Sequence, residues 1–71
     1  MRIKKNFRYP MTNGNGLIVR SDASQKTPEH YHIVELCEMV GGCERYTHTT
    51  MTPAEIKKAL GIKDKKRLEV F

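Results

Sequence analysis

No apolar run in the chain approaches the ~18 residues that a membrane-spanning helix needs, and Met1-Arg-Ile-Lys-Lys-Asn6 is followed by no signal-peptide core. The expectation is a soluble, cytoplasmic protein with no membrane partner. Cysteine is scarce. Cys37 and Cys43 are too few for a disulfide framework and are expected as free thiols in a reducing compartment. Length is short as well: a chain of 71 residues makes one small domain and buries only roughly 60% of the surface its unfolded form exposes. That leaves little room for an enclosed active site, so a non-enzymatic protein without a cofactor is expected. Acidic residues are in deficit, with eight Asp and Glu against thirteen Lys and Arg and a net charge of +5. Such an excess concentrates anions at the surface and favours nucleic acid or an acidic protein as partner.

The residue types of a zinc site are present in His30, His32, Cys37, Cys43 and His48, but their spacing is not that of one. Zinc modules usually present a close pair such as C-x-x-C, whereas five residues lie between these cysteines. A Cys–His nucleophile meets the same objection, with little chain left to bury and orient a dyad. Asn13-Gly-Asn-Gly16 has neither the lysine nor the strand-to-helix setting of a phosphate-cradling loop and reads as a turn.

Local signals are strongest at the C-terminal end. Thr52-Pro-Ala-Glu55 is a capping box with proline at the first helical position. Ile56, Ala59 and Leu60 share one helix face, Lys57 and Lys58 the other, and Gly61 supplies a left-handed stop. After a basic turn, Arg67 to Phe71 alternate as a half-buried strand with Leu68 and Val70 on one side.

At the other end, alternation predicts a strand from about Arg2 to Tyr9, with Ile3, Phe7 and Tyr9 on one face and Arg2, Lys4 and Arg8 on the opposite one. Leu17 to Asp22 reads as its hairpin mate. Thr27-Pro28-Glu29 repeats the helix-start chemistry, and Ile33, Val34, Leu36, Cys37 and Val40 then fall on one side, so a helix from about Pro28 to Val40 is expected. The competing reading pairs Val34 to Val40 as a strand with Cys43 to Met51 across Gly41-Gly42, since Val and Ile also favour strands. Cys43 to Met51 is a strand in either case. The expected architecture is a single small α+β domain over residues 1–71, ordered strand, strand, helix, strand, helix, strand, with a mostly antiparallel four-stranded sheet.

The basic residues carry the functional expectation. Arg2, Lys4 and Arg8 from one strand face, with Lys63, Lys65, Lys66 and Arg67 from the turn after the helix, form a phosphate-contacting stripe if both sets share a side of the sheet. The reading is a small nucleic-acid-binding or regulatory module, dimeric, with duplex DNA as the first candidate ligand. The alternative is an inhibitor or adaptor of phage or mobile-element type that uses the same surface against an acidic protein. Lys65 and Lys66 also have a plainer role, breaking up a sheet edge.

Pro53 to Ile62, followed by Arg67 to Phe71, resembles the strand-helix-strand core of the AbrB/SpoVT swapped-hairpin family of bacterial transcription regulators and antitoxins. The resemblance spans residues 50–71 and implies a strand-helix-strand core of the kind found in those regulators. Thr52 stands where that family has an apolar residue, Lys65 and Lys66 replace its Gly-Asp turn, and Thr47 to Thr49 lack its Gly-Arg. That arginine is one of the family's DNA contacts, so its contact residues do not transfer to this chain.

Overall fold

The computed structural model describes residues 2–20 and 31–71. The end of the expected strand at Ser21 and Asp22 and the helix start at Thr27-Pro28-Glu29 lie outside them, as does His30. Within them the fold is α+β, with an antiparallel four-stranded sheet and one helix. In chain order the elements are β1 (Arg2–Ile3), β2 (Arg8–Pro10), β3 (Gly16–Val19), β4 (His32–Val40), β5 (Cys43–Met51), α1 (Pro53–Leu60) and β6 (Glu69–Val70). The sheet order is β2-β3-β4-β5, and β1 and β6 form a separate parallel pair.

The expected helix over Pro28 to Val40 is corrected at its C-terminal part: His32–Val40 is a strand. The turn decides it. Gly41 and Gly42 take φ of 58° and 82°, the left-handed pair that a two-residue type I′ hairpin loop demands and that side-chain-bearing residues resist. Nine successive cross-strand pairs follow, from Val40↔Cys43 to His32↔Met51. In this arrangement Cys43 to Met51 finds partners for its inward backbone groups, which a helix over residues 32–40 cannot supply.

The expected strand from Arg2 to Tyr9 is also corrected. Asn6 turns the chain at a φ of 62°, and its N–H donates to the Val19 carbonyl while that of Lys5 donates to Phe71. The segment thus serves two sheets. Ile3 is buried, Tyr9 packs against the core, and Phe7 is exposed with its ring 4.9 Å from that of Tyr9. The three do not share a buried face.

By register, Leu17 pairs with Leu36 and Val19 with Val34 on one face of the sheet. Ile56 of α1 joins them, together with Ile3 and Leu68 from the β1–β6 side, to complete the core. The expected inward set of the last strand is thus found, with Leu68 buried and Val70 partly so. On the opposite face, Arg20 and His48 converge on the buried Glu35 at 3.3 and 2.8 Å. Arg8 reaches Glu44 across Gly16, where a side chain would collide with the guanidinium. Cys37 is buried on this face and Cys43 is exposed on the other, so the two thiols are free.

The helix forms as its sequence dictates. Thr52 Oγ1 accepts from the Glu55 N–H, and the Glu55 carboxylate accepts from the Thr52 N–H and hydroxyl, each at 3.0 Å; these two bonds to the carboxylate, the backbone one first, hold the Glu55 carboxyl below its ordinary pKa. Gly61, at a φ of 71°, closes the other end as the N–H groups of Gly61 and Ile62 donate to the carbonyls of Lys58 and Lys57. Thr12 adds a bond to the Ala59 carbonyl at 2.9 Å. The last turn of the helix is thereby tied to the β2–β3 loop.

Candidate nucleic-acid interface

The charge of the chain is unevenly placed. Positions 57 to 67 hold six cations, Lys57, Lys58, Lys63, Lys65, Lys66 and Arg67, and one acid, Asp64. The remaining positions carry seven cations and seven acids, so this one segment accounts for the whole net charge of +5.

Its geometry follows from α1. The last helical turn presents Lys57 and Lys58, Gly61 reverses the chain, and residues 62–67 return to the buried anchor Leu68. The loop is fixed by its own polar groups. The Lys66 N–H donates to Asp64 Oδ1 at 2.8 Å, and Lys57 Nζ donates to the Lys66 carbonyl at 2.6 Å. Lys58, Lys63, Lys65, Lys66 and Arg67 are exposed, and Lys57, Lys58, Lys63 and Lys65 line a shallow surface groove with Ala54 and Gly61. The ammonium groups of Lys58, Lys63, Lys65 and Lys66 make no ion pair among the described residues.

Cations beside a helix C-terminus also complement the negative end of its dipole, which accounts for Lys57 and Lys58 without a ligand. That dipole amounts to roughly half an elementary charge, and its last carbonyls are already engaged by Gly61, Ile62 and Thr12. The cations of the loop exceed what it calls for.

Lys63, Lys65, Lys66 and Arg67 are therefore brought together, but the arginines expected to extend the stripe are committed elsewhere. Arg2 lies 3.7 Å from Glu69 and 4.5 Å from the centre of the Phe71 ring. Arg8 is bound by Glu44 on the outer face of the sheet. Lys4 is exposed, and its backbone N–H donates to the Tyr9 hydroxyl. The turn at Asn6 separates Arg8 from Arg2 and Lys4, so the three do not line one strand face. Lys57 and Lys58 are the members that sequence reasoning left out. The signal was present in Gly61, because a left-handed stop folds the segment after a helix back toward its last turn.

Other chemistry has less support. Burial pushes the Cys37 thiol above its ordinary range, away from the thiolate that a nucleophile or metal ligand requires. Among the described residues no group of three or more His, Cys, Asp and Glu side chains is placed to hold a metal ion, and no helix is long and apolar enough to cross a membrane. No family model, curated protein or solved structure matches the chain.

Proposed function

We propose that the chain is a small non-enzymatic module that binds nucleic acid through the basic end of α1 and the loop after it, with duplex DNA the first candidate. The observation that carries this reading is the concentration of the entire net charge in residues 57–67, on a loop pinned by Asp64, Lys57 and Leu68. A pinned cluster of ammonium groups releases condensed counterions from a phosphate backbone at little cost in loop ordering. The strand-helix-strand order over residues 50–71 accords with a regulator of the swapped-hairpin type but supplies no contact residue. The second reading is an inhibitor or adaptor that uses the same basic surface against an acidic protein, and the exposed Tyr46 and Met39 on the β4–β5 hairpin are residue types enriched at protein interfaces.

Gel shifts with duplex DNA, single-stranded DNA and RNA, at low and near-physiological salt, separate the two. The expected result is a duplex shift that weakens steeply with salt and depends little on sequence. No shift with any of the three at low salt would move the function to the acidic-protein reading.

A further inference from the structure

Among the described residues the two edges of the four-stranded sheet differ. One edge is β2, three residues long and ending at Pro10, which has no N–H to offer a further strand. The other is β5, nine residues long, with Cys43 to Thr50 all exposed. It contains no lysine or proline, and its unbroken register with β4 leaves no bulge. Lysine, proline, a bulge and shortness ordinarily keep an edge from pairing; the longer edge lacks all four and keeps only the charges of Glu44 and Arg45 near its tip. Beyond Cys37, moreover, β4 has no β3 partner, so the hairpin tip projects from the sheet.

The direction of the backbone groups follows from the turn. A type I′ loop is closed by a hydrogen-bonded pair, here Val40 and Cys43. Alternation then turns the N–H and C=O of Cys43, Arg45, Thr47, Thr49 and Met51 toward β4, and those of Glu44, Tyr46, His48 and Thr50 outward. One register pairs every outward group with an identical strand running antiparallel: Glu44 against Thr50 and Tyr46 against His48, about a two-fold axis at Thr47. It also overlaps the strand along its full length.

The side chains suit the same register. Arg45 falls opposite Thr49 and Glu44 opposite Thr50, so no like charges face each other. Thr47 meets its own copy at the axis. Cys43, with Val40 at its other side in the hairpin, comes beside the partly buried Met51 of the other copy.

We propose that β5 pairs antiparallel with β5 of a second copy of this chain, giving a two-fold dimer with a continuous eight-stranded sheet. The interface is isologous, as a two-fold requires. It is independent of the nucleic-acid reading, and its test contains no nucleic acid. The dimer presents the basic segment twice, once on each side of the axis.

Sedimentation equilibrium of the full chain over a concentration series is the test, with charge variants at Thr47. Thr47→Lys and Thr47→Glu change an exposed side chain in the monomer but set like charges face to face at the axis. Each alone is expected to raise the dimer Kd about fivefold to tenfold, and an equimolar mixture is expected to restore association. Far-UV circular dichroism confirms that each variant is folded. A wild-type chain that stays monomeric to millimolar concentration overturns the proposal and leaves the edge to an extended segment of another protein. So does a Thr47→Lys variant that dimerises as tightly as the wild type, or a mixture that fails to recover.

Discussion

Ile56→Ala is expected to lower the stability of the chain by about 2 to 5 kcal/mol. Ile56 is 0% exposed and is the one residue of α1 that is fully buried. It closes the core against Leu17, Val19 and Val34 of the sheet and against Ile3 and Leu68 beyond it. Truncation strips apolar surface from the core and leaves a cavity that a pinned helix cannot collapse to fill, since Thr52 fixes one end and Gly61 the other. A domain of this size has a total stability of only about 4 to 10 kcal/mol, so the expected decrease is a large fraction of the whole. Urea unfolding followed by circular dichroism reads it directly. An unchanged midpoint would mean that α1 does not pack on the sheet.

The second large effect is on binding. Replacing Lys63, Lys65, Lys66 and Arg67 together by alanine is expected to flatten the dependence of log K on log salt by about 1 for each phosphate no longer neutralised, a total change of about 3 to 4. Affinity at low salt should fall by orders of magnitude, with no change in sequence preference. Arg2→Ala combined with Arg8→Ala is the control that distinguishes position from charge. Both arginines are engaged with Glu69 and Glu44, so each cation removed also frees an acid. The control should change the slope by less than about 1. Equal effects per cation removed would show that net charge matters and the loop does not.

The difference between these two sets shows how far the residues themselves announced the site. Lys63 to Arg67 lie together in sequence, and the short return from Gly61 to the buried Leu68 keeps them together in space. Arg2 and Arg8 depended on an unbroken strand, and the left-handed Asn6 between them gave no such notice, because asparagine occupies ordinary loops as readily as a turn of positive φ. Helix α1 was legible to the residue, with Thr52, Pro53, Glu55 and Gly61 each supplying an end signal that acts within one turn.

His32 to Val40 was harder for a physical reason. Both faces of β4 carry buried residues, Val34 against the core and Glu35 and Cys37 beneath the ion pairs of the outer face. The buried set Val34, Glu35 and Cys37 obscures the alternation by which a half-buried strand is recognised. The diglycine at residues 41 and 42, which specifies a hairpin, was the local signal that agreed with the tertiary structure.

The most direct test of the central claim is an amide chemical-shift map of the 15N-labelled chain titrated with a short DNA duplex at low salt, under conditions where its oligomeric state is fixed. The basic end of α1 and its loop predict shifts concentrated in Lys57 to Arg67 that vanish as salt is raised, with the outer face around Glu35 and His48 unmoved. Shifts centred on the β4–β5 hairpin, or on Arg8 and its neighbours, would contradict it.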